Sequence, residues 1–306
     1  MDIWKSEVWK DKYKDHNVRK GLRLKFDRGI DEKLKTGFKE YCRWLRSEYT
    51  FPIRVPVYVK NFKKIKAMDG EYVFGTFLGP FNFLEEPYVR VAAGDFKESF
   101  EEMGEQAVYQ YLCTLTHELT HYFQWLNNSE LTQIGKERQA TITADRIVQR
   151  YVDAKYEEKQ QFLHKLEQSA KRREINEAEI DKLRKIAFED DVNNKILIAR
   201  ILEESKLIES EKILLHLTKD IDDVVRMETC NALSNSDSLE VYEALKGIAS
   251  KDSVGMVRGY AIVALGDVAV EINKEKEATK FLKNLLKREK TDFAIIDIWA
   301  VLYCLG

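Results

Sequence analysis

Residues 111–126 read YLCTLTHELTHYFQWL, and inside this stretch stand His117, Glu118 and His121. The segment has the period of a helix, with Val108, Tyr111, Leu112, Leu115, Leu119, Tyr122 and Leu126 on one apolar stripe. His117 and His121 are four apart, so they lie one turn apart on one face, with Thr114 and Trp125 beside them. Two imidazoles so placed can close on one Zn2+ at about 2.0–2.1 Å each. Glu118 neighbours the first histidine and can reach a water on that metal, as general base and then proton shuttle.

A catalytic zinc needs a third protein ligand. No histidine follows His121 until His164, and the cysteines are remote. The candidates are carboxylates on the next helical segment, about 136–155 (KERQATITADRIVQRYVDAK). Glu137 is the favoured one. Ala140, Thr141 and Ala144 follow it at i+3, i+4 and i+7, a small-residue face that lets this helix pack close to the first. Asp145 is the alternative, rotated about 80° from Glu137; Glu130 stands too near the turn. Two histidines and a carboxylate also suit Mn2+, Fe2+ or Co2+.

Other parts of the chain must position these residues. Residues 31–49 have helical spacing at Leu34, Phe38, Tyr41, Cys42 and Leu45. Three runs rich in Val, Tyr and Phe follow, Ile53–Lys60, Glu71–Leu78 and Tyr88–Ala92, each flanked by Gly or Pro. From Gly104 the period is helical. Helix, strands, then helices is an α+β plan over residues 1–157. Residues 1–30 hold nine Lys/Arg against five Asp/Glu, with Trp4, Trp9 and Tyr13 between them. They are read as a helix whose aromatics pack on this domain.

Residues 158–175 are charged and helical, a connector. From about 176 onward no strand is expected, and the sequence repeats. Asp190-Asp191-Val192 recurs as Asp222-Asp223-Val224, Val225-Arg226 as Val257-Arg258, and Ala232-Leu233 as Ala264-Leu265, each shifted by 32. That period means stacked helical hairpins. Four pairs are predicted: 176–188 with 191–204, 208–219 with 222–235, 238–250 with 254–270, and 275–289 with 292–305. Arg226 and Arg258 are expected to brace successive pairs. The Asp…Val-Arg…Ala-Leu signature resembles HEAT repeats, which implies a solenoid of antiparallel helix pairs that binds protein. The segment Ala294–Leu305 is apolar nearly all round, so neighbours, a second copy or a partner must cover it.

Composition sets the limits. The chain has 306 residues, 44% hydrophobic and 33% charged, with net charge −2. That supports about two domains with real cores and excludes wholesale disorder. The neutral balance gives no pull toward nucleic acid, and no stretch is long and apolar enough to span a membrane. The first residues lack a secretory signal pattern. Cys42, Cys113, Cys230 and Cys304 are far apart and read as buried free thiols, which places the protein in a reducing cytoplasm.

His117, Glu118, His121 and a downstream Glu resemble the zincin metallopeptidases, in particular the gluzincin branch and the ImmA/IrrE-type and SprT-like domains. The resemblance covers about residues 30–157. It implies a peptidase fold with zinc on His117, His121 and Glu137, a protein or peptide substrate, and an edge strand that pairs with extended peptide, here Tyr88–Ala92. It also implies a transition-state donor, for which Tyr151 and Tyr156 are available. Gluzincins often place Ala directly after the ligand Glu; here Arg138 and Gln139 intervene before Ala140. The other reading of the whole is a HEAT-repeat scaffold whose zincin-like domain is inactive or binds metal for structure.

Overall fold

The computed structural model describes residues 2–12, 19–68, 70–81, 85–170, 175–189, 191–203, 205 and 207–305. Tyr13, His16 and Asp190 lie outside them. The chain divides into two compact units, Met1–Glu157 and Glu158–Gly306.

The first unit opens with a 3₁₀ turn at Ile3–Lys5 and a four-residue helix, α1 (Trp9–Lys12). It continues with β1 (Leu22–Phe26), α2 (Glu32–Glu48), β2 (Val55–Lys60), β3 (Ile65–Lys66), β4 (Tyr72–Val73), β5 (Gly75–Leu78), β6 (Tyr88–Ala92), α3 (Phe96–Met103), α4 (Glu105–Leu126) and α5 (Gln133–Ala170). The expected single N-terminal helix is therefore broken. Among its described aromatics Trp4 is buried, packed against Tyr49, Phe51 and Phe123. The LRLKF run forms a strand instead, because it pairs in parallel with β2, Leu22 opposite Val55.

The sheet order is β1-β2-β6-β5. β2 and β6 are parallel neighbours, and β5 runs antiparallel to β6. Two expectations need correction here. Glu71–Leu78 is not one strand: β4 pairs with β3 in a separate two-stranded ribbon, and the chain changes sheet at Phe74. Tyr88–Ala92 is not the edge, because β2 and β5 occupy both of its sides; the sheet ends at β5. α2 and α4 share one core with the sheet, built on Leu34, Phe38, Tyr41, Leu115, Leu119 and Tyr122. Gly104 has φ +58°, a left-handed conformation that only glycine adopts freely, and it lets α3 end and α4 begin at one residue.

The second unit is helical throughout its described residues. α6 (Glu177–Ala187) pairs with α7 (Val192–Leu202), α8 (Ile208–Leu217) with α9 (Asp223–Ala232), α10 (Leu239–Lys251) with α11 (Gly255–Glu271), and α12 (Glu275–Leu286) with α13 (Asp292–Cys304). The segment read as a connector does more than connect. Its residues 158–170 continue α5, and Leu163 and Leu166 are buried in the repeat core with Ile175, Ile180 and Leu183; residues 171–174 lie outside the described ones.

The repeat carries a ladder of ion pairs. Lys195 reaches Asp220 at 2.7 Å, Arg226 reaches Asp252 at 2.8 Å, and Arg258 holds Glu289. Each cation sits on the second helix of one pair and each acid at the end of the next pair's first helix. Arg226 and Arg258 thus brace neighbouring pairs, as their spacing predicts. The Arg258 guanidinium pulls the Glu289 carboxyl down to about 2, with help from the Thr291 and Lys290 backbone amides. A depressed carboxyl stabilises the fold above its ordinary value of 4.5, and that contribution is lost as pH falls toward about 2. Arg258→Ala leaves Glu289, 5% exposed, without its cation. It should cost about 3 kcal/mol, read as a lower urea midpoint at pH 7 and a smaller difference from wild type near pH 3.

The last helix is covered on one side only. Ala294, Ile298 and Val301 are buried, while Phe293, Ile296, Trp299 and Tyr303 are exposed. Cys304 is exposed as well, against the expectation of four buried thiols; Cys42 and Cys230 are buried and Cys113 is half-buried.

Candidate metal centre

α4 carries His117, Glu118 and His121 in its middle turns. Its back is fixed to the domain by Leu112, Leu115, Leu119, Phe123 and Leu126, all buried. Two threonines also anchor it. Tyr41 donates to Thr116 Oγ1 at 2.6 Å while Thr116 donates to the Leu112 carbonyl, and Trp4 donates from its indole to Thr120 Oγ1 at 3.0 Å. A helix held this firmly presents its opposite face at fixed angles.

α5 brings up the third group. Ala140 and Ala144 are buried, so the helix lies close enough for Glu137 to reach the histidines. His117 Nε2 lies 3.1 Å from Glu137 Oε2 and 3.1 Å from His121 Nε2, and His121 Nε2 lies 3.5 Å from Glu137 Oε2. Two ligand atoms about 2.05 Å from a tetrahedral ion lie about 3.3–3.4 Å apart. The triangle matches that spacing.

The protons also point to a cation. Gln124 is buried, and its amide nitrogen donates to the Lys136 carbonyl and to Gln139 Oε1, both at 2.9 Å. Its oxygen must then face His121 Nδ1, at 2.8 Å, so Nδ1 carries the proton and Nε2 is a bare lone pair. On His117, Nδ1 faces Thr141 Oγ1, whose own proton goes to the Glu137 carbonyl. Burial and the neighbouring His121 lower the pKa of His117, which keeps it neutral. Three acceptors therefore converge with no hydrogen between them. A divalent cation satisfies them, and the residues fit one.

Glu118 lies beside this point, 8% exposed. Burial, then the charge of Glu137, pushes its carboxyl up to about 8. A cation at the three acceptors opposes that shift. β5 crosses directly over it: a Cβ on Gly75 would stand 2.6 Å from Glu118 Oε1, and one on Gly79 2.5 Å from the Trp125 ring. The two glycines let the strand lie against α4 at those places.

The site opens into a cleft of about 1390 Å³. Gly75, Thr76, Phe77 and Leu78 of β5 form one wall, Trp125 packs on Phe77, and Gln133 and Glu137 of α5 form the other. Asp145 lines the cleft but stays apart from the three donors; it accepts from the Tyr109 hydroxyl at 2.8 Å. Glu130 is on the rim. Tyr151 is buried against Tyr41 and Trp44, and neither it nor the exposed Tyr156 lines the cleft, so neither is placed to act as a transition-state donor. His216 meets the Phe188 ring edge-on.

Gln124 is the site residue that the sequence reading missed. It stands three after His121, a spacing that puts it on the same face. Gln124→Ala frees the imidazole to turn and removes the group that fixes its tautomer. Zinc affinity should fall about 10–100-fold in a competition titration with a chromophoric chelator.

Residues 180–266 match the family model of HEAT repeats. The match takes in most of the first three helical pairs, and the second unit is a helical-repeat array of that kind. No curated protein and no solved structure matches the chain. Among the described residues no helix is long and apolar enough to cross a membrane.

Proposed function

We propose that the N-terminal unit is a zinc-dependent metallopeptidase, and that the HEAT repeats hold its protein substrate or an adaptor. The observation that carries this reading is the convergence of His117, His121 and Glu137 lone pairs beside the Glu118 carboxylate, under the sheet's last strand. A bound Zn2+ supplies Lewis acidity, lowering the pKa of water and polarising a carbonyl.

The chain's residues do the rest. Gln124 and Thr141 hold the two imidazoles in the tautomer that bares Nε2. Glu118 takes a proton from the attacking water as its oxygen bonds to the scissile carbon. It delivers that proton to the amine nitrogen as the C–N bond breaks. β5 has one side free of any described strand, so an extended peptide can add there by main-chain hydrogen bonds. Phe77 and Trp125 then offer an apolar seat for one of its side chains.

The repeat match favours a second reading, a protein-binding scaffold whose N-terminal unit holds metal for stability alone. One experiment separates the two. The zinc-loaded protein is incubated with an unfolded protein such as reduced casein. Cleavage that a chelator abolishes and added zinc restores supports the peptidase. Bound zinc with no cleavage leaves the scaffold.

A further inference from the structure

In the second unit, α11 and α13 leave an uncovered surface of mixed character. α11 exposes Met256, Tyr260 and Val263 on one stripe, and Asp267 falls on the same stripe a turn later. α13 exposes Phe293, Ile296 and Tyr303. The two helices are in direct contact. The space that a Cβ on Gly259 would take holds the Asp297 carboxylate, and that of Gly266 holds Val301. The second unit's described residues leave both apolar stripes and the Asp267 carboxylate uncovered. An exposed apolar face of this extent marks a site of contact.

We propose that this α11–α13 face docks a basic amphipathic helix of a partner protein. The charge on the face selects that occupant. Asp267 and Asp297 make no hydrogen bond or ion pair with any described residue, and burial raises both carboxyls above the ordinary range. The two helices contain one cation, Arg258, and its guanidinium is committed to Glu289 and Thr291. The surface is therefore apolar and acidic with no free positive charge. A second copy docking face to face would set Asp267, Asp297 and Asp292 against themselves, an arrangement that like charges oppose. A helix with apolar anchors at i, i+3 or i+4, and i+7 covers the two stripes. Its Lys or Arg residues then meet Asp267 and Asp297, and an Arg can stack on Tyr260.

This inference rests on the repeat array and not on hydrolysis in the first unit, so its test reads binding alone. The full chain is titrated against a fluorescein-labelled helical peptide of Leu and Lys, about five turns long with Leu on one face. A twin peptide carries Glu in place of every Lys. The Lys peptide should bind, and the Glu peptide should not. The double variant Asp267→Asn, Asp297→Asn should weaken binding about tenfold, as should Tyr260→Ser. The two amide changes keep the side-chain shape, and an unchanged melting temperature checks that they fold. Equal affinity for wild type and the double variant, or equal binding of the two peptides, overturns the proposal. So does a dimer in sedimentation equilibrium that Tyr260→Ser dissolves, which would assign the face to a second copy.

Discussion

Glu118→Gln should keep its zinc and lose peptide hydrolysis by about 10²–10⁴-fold. The separation of effects follows from where Glu118 stands. It is outside the group of donor atoms formed by His117, His121 and Glu137, so its charge is not needed to hold the ion. An amide has nearly the same shape, and the close approach of β5 at Gly75 is preserved. What the amide lacks is an oxygen basic enough to take a proton from water. Folding should not suffer either. The native carboxylate is buried, and its charged form is disfavoured by that burial and by Glu137. The melting temperature of the zinc-free variant should match or exceed that of the zinc-free parent. Hydrolysis that survives the change, with zinc still bound, would mean that the proton leaves by another group and that Glu118 is not the base.

The parts of this molecule that were legible in the sequence are those set by local period. His117, Glu118 and His121 need only the 3.6-residue turn, and the small-residue run after Glu137 by itself points to close packing. The helical pairs were legible because short motifs repeat with them: Asp-Asp-Val, Val-Arg and Ala-Leu each recur at a shift of 32. What escaped was non-local. β1 is a strand because Val55, 33 residues on, offers Leu22 an open edge; by itself LRLKF is a charged alternation in a basic stretch. The sheet's last strand is β5, not β6, because strand order depends on which segment folds back, and four half-buried residues around a glycine announce that weakly. Gln124 reads as an ordinary helix amide until the Lys136 carbonyl and Gln139 arrive from the next helix to orient it.

His121→Ala should remove the metal altogether, where the parent should bind about one zinc per chain. Its Nε2 closes a triangle whose other sides run to His117 and Glu137, and two remaining donors cannot hold a tetrahedral ion against solvent. Glu137→Gln should weaken zinc by more than about 100-fold, a larger effect than the loss of a residue that only orients a ligand. The amide keeps an acceptor oxygen but removes the negative charge that two neutral imidazoles leave uncompensated in the ion's surroundings. Asp145→Asn should change zinc affinity little, because its carboxylate is turned toward Tyr109 and does not join the three donors. Metal content by mass spectrometry after dialysis, followed by a competition titration, reads all three. The opposite order, zinc kept by Glu137→Gln and lost by Asp145→Asn, would require α5 to turn by about 80° on binding the ion. The buried Ala140, Ala144 and Ile147 packed along that helix oppose such a turn.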